Sequence, residues 1–218
     1  MAIDNFKRIE VLFRHNLYIG YRDSPFMHVR IVRRGKDHPN LPGANKIIKS
    51  CIVQDYERLE KMKEDIISIC EHCKARAYIS CVPKGMQQLN TYIMCRLADN
   101  QHIGNVINPY HIVHSACGKV QSVEKRWVVD VDTKDPETLN KIKDSIDKLW
   151  GKAHPQDWGR HIGQTWLIAE IPTLNGVHLI TRPFNLQEFN QRFPEVEIKK
   201  NGLTALYVPD CITANTLQ

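Results

Sequence analysis

The sequence predicts a layered α+β fold, with helices covering one face of a largely antiparallel sheet. Two observations carry that prediction. Helical and strand patterns alternate along the chain, with no repeat, low-complexity tract or long linker between them. The last third then carries a hairpin signal, Asn175-Gly176, because both residues tolerate positive φ. The chain has 218 residues, 42% hydrophobic and 25% charged, enough for one domain with its own core. A single α+β domain over 1–218 is the simplest division, with 1–75 as a candidate N-terminal subdomain and 76–218 as the core that carries the chemistry.

"MHVRIVR" (27–33) alternates as a strand, and the Gly/Pro-rich "GKDHPNLPG" behind it reads as a loop. In "DYERLEKMKEDIISICEHC", Asp55 caps a helix whose stripe runs through Leu59, Met62, Ile66, Ile69 and Cys73. "RAYISCV" (76–82) is a strand, and 85–99 is a second helix through Met86, Leu89, Ile93 and Leu97. The pattern from Gln101 to Gln121 is ambiguous. "RWVVDVD" (126–132) is a strand. The next helix is marked by Asp135 as cap, Pro136 at its first position and Glu137 in its first turn, with Leu139, Ile142, Ile146 and Leu149 as its stripe. After the turn-rich 151–160, "QTWLIAEI" and "VHLITRPF" are strands joined by "PTLNG". A short helix at "NLQEFNQRF" and strands near "VEIKK" and "TALYVP" close the chain.

No stretch approaches the roughly 18 to 20 apolar residues of a membrane span. "MAIDNFKRIEVLF" lacks the apolar segment of a secretory signal. The expectation is therefore a cytoplasmic protein with no membrane contact. Seven cysteines, an odd and dispersed number, read as reduced thiols rather than a disulfide framework. A net charge of +6 is compatible with a polyanionic partner. There is no Walker A loop, no G-x-G-x-x-G and no G-x-S-x-G, which argues against a P-loop NTPase, a Rossmann dehydrogenase and an α/β-hydrolase.

The chemistry concentrates in two places. Asp130 and Asp132 alternate onto one face of an apolar strand, about 6 to 7 Å apart between Cα atoms. Trp127, Val129 and Val131 face the other way. Two like charges side by side are costly unless something neutralises them. A shared Mg²⁺ or Mn²⁺ does so, and supports phosphoryl or nucleotidyl transfer. The alternative is a solvated face with Lys or Arg partners. In the late hairpin, His178, Ile180 and Arg182 fall on one face, where the imidazole and guanidinium suit phosphate oxygens.

Cys70-x-x-Cys73 with His72, and His111-x-x-His114-x-x-Cys117, have zinc-like spacing, but both read better as core or helical positions than as zinc ligands. Basic residues at 33–36, Arg76, Lys84, Arg96 and Lys125-Arg126 are scattered. Most belong to a solvated surface, while Arg76 and Lys84, which bracket a strand, are the candidates for nucleic-acid contact.

The order "WVVDVD … NGVHLIT … ALYVPD" over about 125–210 resembles the archaeo-eukaryotic primase superfamily, and in layout its small phage-encoded catalytic cores. The resemblance implies a two-layer, RRM-like core acting on nucleoside triphosphates and single-stranded nucleic acid in DNA replication, without or alongside other replication proteins. It implies metal ligation by Asp130, Asp132 and Asp210, and catalysis by the two aspartates with His178. His178 would contact the incoming nucleotide's phosphates, with Thr173, Asn175 and Arg182 beside it. Asn175-Gly176 stands where many members of that family carry Ser or basic residues. The expected function is thus a primase-polymerase nucleotidyltransferase using Mg²⁺ or Mn²⁺. A non-catalytic nucleic-acid-binding replication module and a metal-dependent nuclease are the alternatives.

Overall fold

The computed structural model describes residues 1–17, 24–38, 46–103, 109–153 and 165–215. Most of the loop expected over 35–43, and the turn-rich segment from 154 onward, lie outside the described residues. The chain is α+β, built on antiparallel pairings, but it forms two sheets rather than one.

The first sheet joins β1 (Ile3–Asp4), β10 (Leu203–Val208), β4 (Arg76–Ser80), β2 (Pro25–Arg33) and β3 (Lys46–Val53) in that order, with β5 (Lys84–Gly85) pairing β2. β2 and β4 pair across position 75, so residues on both sides of it share this sheet. Its Val29, Ile31, Ala77 and Ile79 bury against α1 (Phe6–Leu17), α2 (Tyr56–Lys61) and α3 (Lys63–Cys73), through Phe6, Ile9, Leu12, Leu59, Ile66 and Cys70. The single helix expected after Asp55 is broken at Met62, although Asp55 caps it as expected, accepting from the Arg58 amide at 2.7 Å. α4 (Met86–Ile103) and α5 (Pro109–Lys119) pack together around Phe26, Leu89 and Ala116, so part of the ambiguous 101–121 stretch is helix.

The second sheet runs β7 (Leu167–Pro172), β8 (Val177–Thr181), β6 (Trp127–Val131) and β9 (Glu197–Lys200). One face buries Val129, Val131, Val177 and Leu179 under α6 (Pro136–Ala153) and α7 (Leu186–Arg192), through Ile142, Ile146, Leu149 and Phe189. Asp135 caps α6, accepting from the Thr138 amide at 2.9 Å. The opposite face sends Val128, Ala169, Ile171 and Ile180 into the first sheet's core. The two sheets therefore share apolar packing.

Polar links tie them as well. The Asn5 side-chain amide donates to the carbonyls of Pro172 and Ala205, at 2.9 and 3.0 Å. Arg126 is fully buried. It donates to the carbonyls of Leu12 and Cys81 and is ion-paired with Glu124. This overturns its reading as a surface cation: position 126 lies where β6 enters the shared core. The chain crosses from β9 to β10 through a tight turn in which Asn201 takes φ 53°. α8 (Asp210–Asn215) ends the described chain. No helix among the described residues is long and apolar enough to cross a membrane.

Candidate functional site

β6 alternates as its sequence demands. Val129 and Val131 face the helices, while Val128 and Asp130 face the other sheet. Strand register then builds a row: Asp130 stands opposite His178 on β8 and opposite Glu197 on β9. His178 Nε2 lies 3.1 Å from Asp130 Oδ1. Its Nδ1 lies 2.9 Å from the Thr204 hydroxyl on β10. Since a carboxylate only accepts, Nε2 carries the proton, and in the neutral ring Nδ1 accepts from Thr204.

Lys199 Nζ donates to Asp130 Oδ2 at 2.6 Å and reaches Glu197 at 3.1 Å. Burial alone would raise the Asp130 pKa, but the hydrogen bonds from His178 and Lys199 outweigh it and hold the carboxyl well below the usual range. Burial would lower Lys199, and its bonds to Asp130 and Glu197 raise it instead. Asp132, just past the end of β6, is exposed and has no partner among the described residues.

Gly176 explains why the hairpin turn sits against this strand. A Cβ there would run into the Val131 carbonyl oxygen and lie 2.7 and 2.9 Å from the Thr133 backbone nitrogen and oxygen. Only glycine lets the turn lie on the end of β6. The turn is pinned internally, with the Thr173 amide donating to the Gly176 carbonyl at 2.9 Å and the Gly176 amide to the Thr173 hydroxyl at 3.1 Å.

A cavity of about 800 Å³ opens between the sheets, lined by Asp130, Asp132, Thr173, Asn175, His178, Glu197 and Lys199 on one side. The other side is cationic, with Arg30, Arg34, Lys36 and Arg76 beside Tyr78. Arg30 and Arg34 donate to neutral groups, His28 Nδ1 at 3.2 Å and the Tyr78 hydroxyl at 3.3 Å. Behind Arg30, His28 Nε2 meets the Ser50 hydroxyl at 2.5 Å, and that hydroxyl meets His114 Nδ1 at 3.1 Å. Burial pushes the His28 pKa down to about 3, with Arg30 adding to the shift.

Of the residues singled out from the sequence, Asp130, Asp132, Thr173, Asn175, His178 and Arg76 line this cavity. Arg76 is committed to Asp37, at 2.7 and 2.5 Å, and so holds the turn carrying Lys36 rather than offering a free charge. Three expected residues do not join. Arg182 lies past the end of β8, about 13 Å along the strand from His178, with buried Ile180 between them. Lys84 donates to the Cys117 carbonyl at 2.5 Å, where the C-terminal end of α5 favours a cation. Asp210 follows β10 to its far end, where it pairs with the N-terminal ammonium at 3.0 Å, so it is not assembled with the β6 aspartates.

Glu197 and Lys199 were missed, although their alternation in "VEIKK" mirrors Asp130 and Asp132. Arg30 and Thr204 were missed because only pairing between distant strands brings them here. Cys70 and Cys73 lie in α3 with their sulfurs in the core packing, and burial raises the Cys70 pKa to about 12.

Three carboxylates on or beside one strand row, with no sulfur, suit a hard divalent cation by donor chemistry. Asp130, Asp132 and Glu197 are the carboxylates of this wall. As they stand, Lys199 and His178 engage Asp130, and among the described residues no group of three or more His, Cys, Asp or Glu side chains is arranged as a metal cage. The chain matches no protein-family model, no curated protein and no solved structure.

Proposed function

We propose that this chain is a metal-dependent nucleotidyltransferase of primase-polymerase type, acting on nucleoside triphosphates and a single-stranded template, with the second sheet as its RRM-like element. The observation that carries this reading is the segregation of charge across one cavity: Asp130, Asp132 and Glu197 on one wall, Arg30, Arg34 and Lys36 on the other. A triphosphate with a divalent cation has matching halves. The arginines and Lys36 bind phosphate oxygens as charge-assisted donors. The carboxylates would hold the cation, which would supply charge neutralisation for transfer to a 3′-hydroxyl. His178, fixed by Thr204, keeps Asp130 oriented and presents its edge to the same space. Thr173 and Asn175 shape the mouth beside Asp132.

The Lys199–Asp130 ion pair favours a second reading, a phosphate-binding nucleic-acid module that needs no metal. One assay separates the readings. The protein is incubated with Mn²⁺, labelled nucleotides and a single-stranded template, and in parallel with a labelled strand alone. Extended product that disappears in Asp130→Asn supports transfer, and shortened strands indicate a nuclease. Retained strand binding with neither product supports the binding module.

A further inference from the structure

Both oxygens of Asp130 are engaged, but the two partners are held differently. His178 is 8% exposed and anchored through its far nitrogen to Thr204. The Lys199 side chain is 38% exposed, and its ammonium bridges Asp130 and Glu197, which face each other across β6 and β9. The β9–β10 turn seats the root of that lysine. A Cβ on Gly202 would lie 2.9 Å from Lys199 Cβ and 3.3 Å from Val128 Cγ2, so the turn passes directly over its stem. The ammonium thus lies between the two carboxylates.

We propose that Lys199 is a resident counter-ion of the carboxylate row, displaced only when a divalent cation and a phosphate-bearing ligand enter together. This rests on the nucleotide-and-metal reading above and adds the order in which its site loads. Without a cation, Lys199 removes the repulsion between two carboxylates placed cross-strand. A cation arriving alone must expel the ammonium into a cavity whose opposite wall already carries Arg30, Arg34 and Lys36. A polyphosphate gives the released ammonium an anionic partner. Cation and phosphate ligand therefore favour each other's binding, a coupling that is reciprocal by thermodynamic necessity. Lys199 acts here as a positioning residue, through Asp130.

The test is a Mn²⁺ titration followed by the electron paramagnetic resonance signal of free Mn²⁺. It is run with and without a non-hydrolysable nucleoside triphosphate, on wild type, Lys199→Met, Lys199→Arg and Asp130→Asn. If the lysine leaves the carboxylates free about a tenth of the time, Lys199→Met binds Mn²⁺ alone about tenfold more tightly than wild type. The enhancement by triphosphate shrinks by the same factor, and Lys199→Arg behaves as wild type. Lys199→Gln replaces the methionine variant if the latter does not fold. Equal or weaker Mn²⁺ affinity in the neutral variants, with wild type binding, overturns the counter-ion role and leaves the site reading intact. No Mn²⁺ binding by any variant, with or without triphosphate, overturns both.

Discussion

The two walls of the cavity differ in how their charges are satisfied. On the six-stranded sheet, Arg30 and Arg34 rest on neutral acceptors, and Lys36 has no partner among the described residues. On the four-stranded sheet, Asp130 is saturated by His178 and Lys199. One wall holds arginines without a carboxylate partner among the described residues, while the other has its central carboxylate paired at both oxygens. Backbone pairing sets this difference. β2 delivers Arg30, and Arg34 follows just past its end, whereas β8, β6 and β9 stack His178, Asp130 and Glu197 side by side.

The largest expected effect bears on whether the walls stay together at all. Arg126→Ala removes a fully buried guanidinium that donates to Leu12 and Cys81 and pairs with Glu124. Leaving Glu124 and those carbonyls without it should cost about 3–5 kcal/mol in urea unfolding. A change under 1 kcal/mol would mean that Arg126 does not help to hold the sheets together.

Gly176→Ala acts on the acidic wall only. The clash with Val131 and Thr133 should cost about 1–3 kcal/mol and weaken cation binding, since Asp132 follows Val131. Arg34→Ala and Lys36→Ala act on the basic wall, where the loss of one charge-assisted contact should weaken triphosphate binding roughly tenfold and leave the melting temperature unchanged. Equal triphosphate affinity in these variants would erase the distinction between the walls. The smallest effect is expected at Asp210, whose exposed pairing with the N-terminus predicts no change in Mn²⁺ binding for Asp210→Asn.

Acid titration distinguishes the walls by pH. Asp130 is held below its ordinary pKa of about 3.9. Its contribution to stability is therefore fully present above that value and is lost as pH falls below about 4 toward the depressed folded pKa. His28, behind Arg30, has a folded pKa of about 3. Its contribution is complete above the unfolded value of about 6.5 and is lost between about 6.5 and 3. Stability against urea should fall first through the histidine window. His28→Gln should flatten that limb, and Asp130→Asn the limb below pH 4.

The acidic wall was the legible one. "WVVDVD" and "NGVHLIT" carry their alternation, turn and charge within a few residues each, so the strands and the helix after Asp135 follow from local rules, whereas the contact of His178 with Asp130 needs the pairing of β6 with the distant β8. The basic wall was obscure for a physical reason. Arg30, Arg34 and Lys36 gain meaning only when β2 lies between β3 and β4, a pairing that no local pattern specifies. β3, "KIIKSCIV", was missed as a strand. It is an edge strand, and its lysines, which protect an edge from pairing with other chains, blur the apolar alternation that marks a strand. Arg182 was placed by strand alternation and Asp210 by motif order, and the chain carries each of them past the end of its strand. Division into two sheets was likewise hidden, because the β9–β10 turn looks local while its two strands belong to different sheets.

The most direct test of the paired walls is calorimetry of a nucleoside triphosphate with Mn²⁺, comparing wild type with Asp130→Asn/Asp132→Asn. The account predicts Mn²⁺-dependent binding in wild type that vanishes in the double variant while its thermal unfolding stays cooperative. Triphosphate binding that is unchanged by the double substitution, or absent from the wild type, would contradict it.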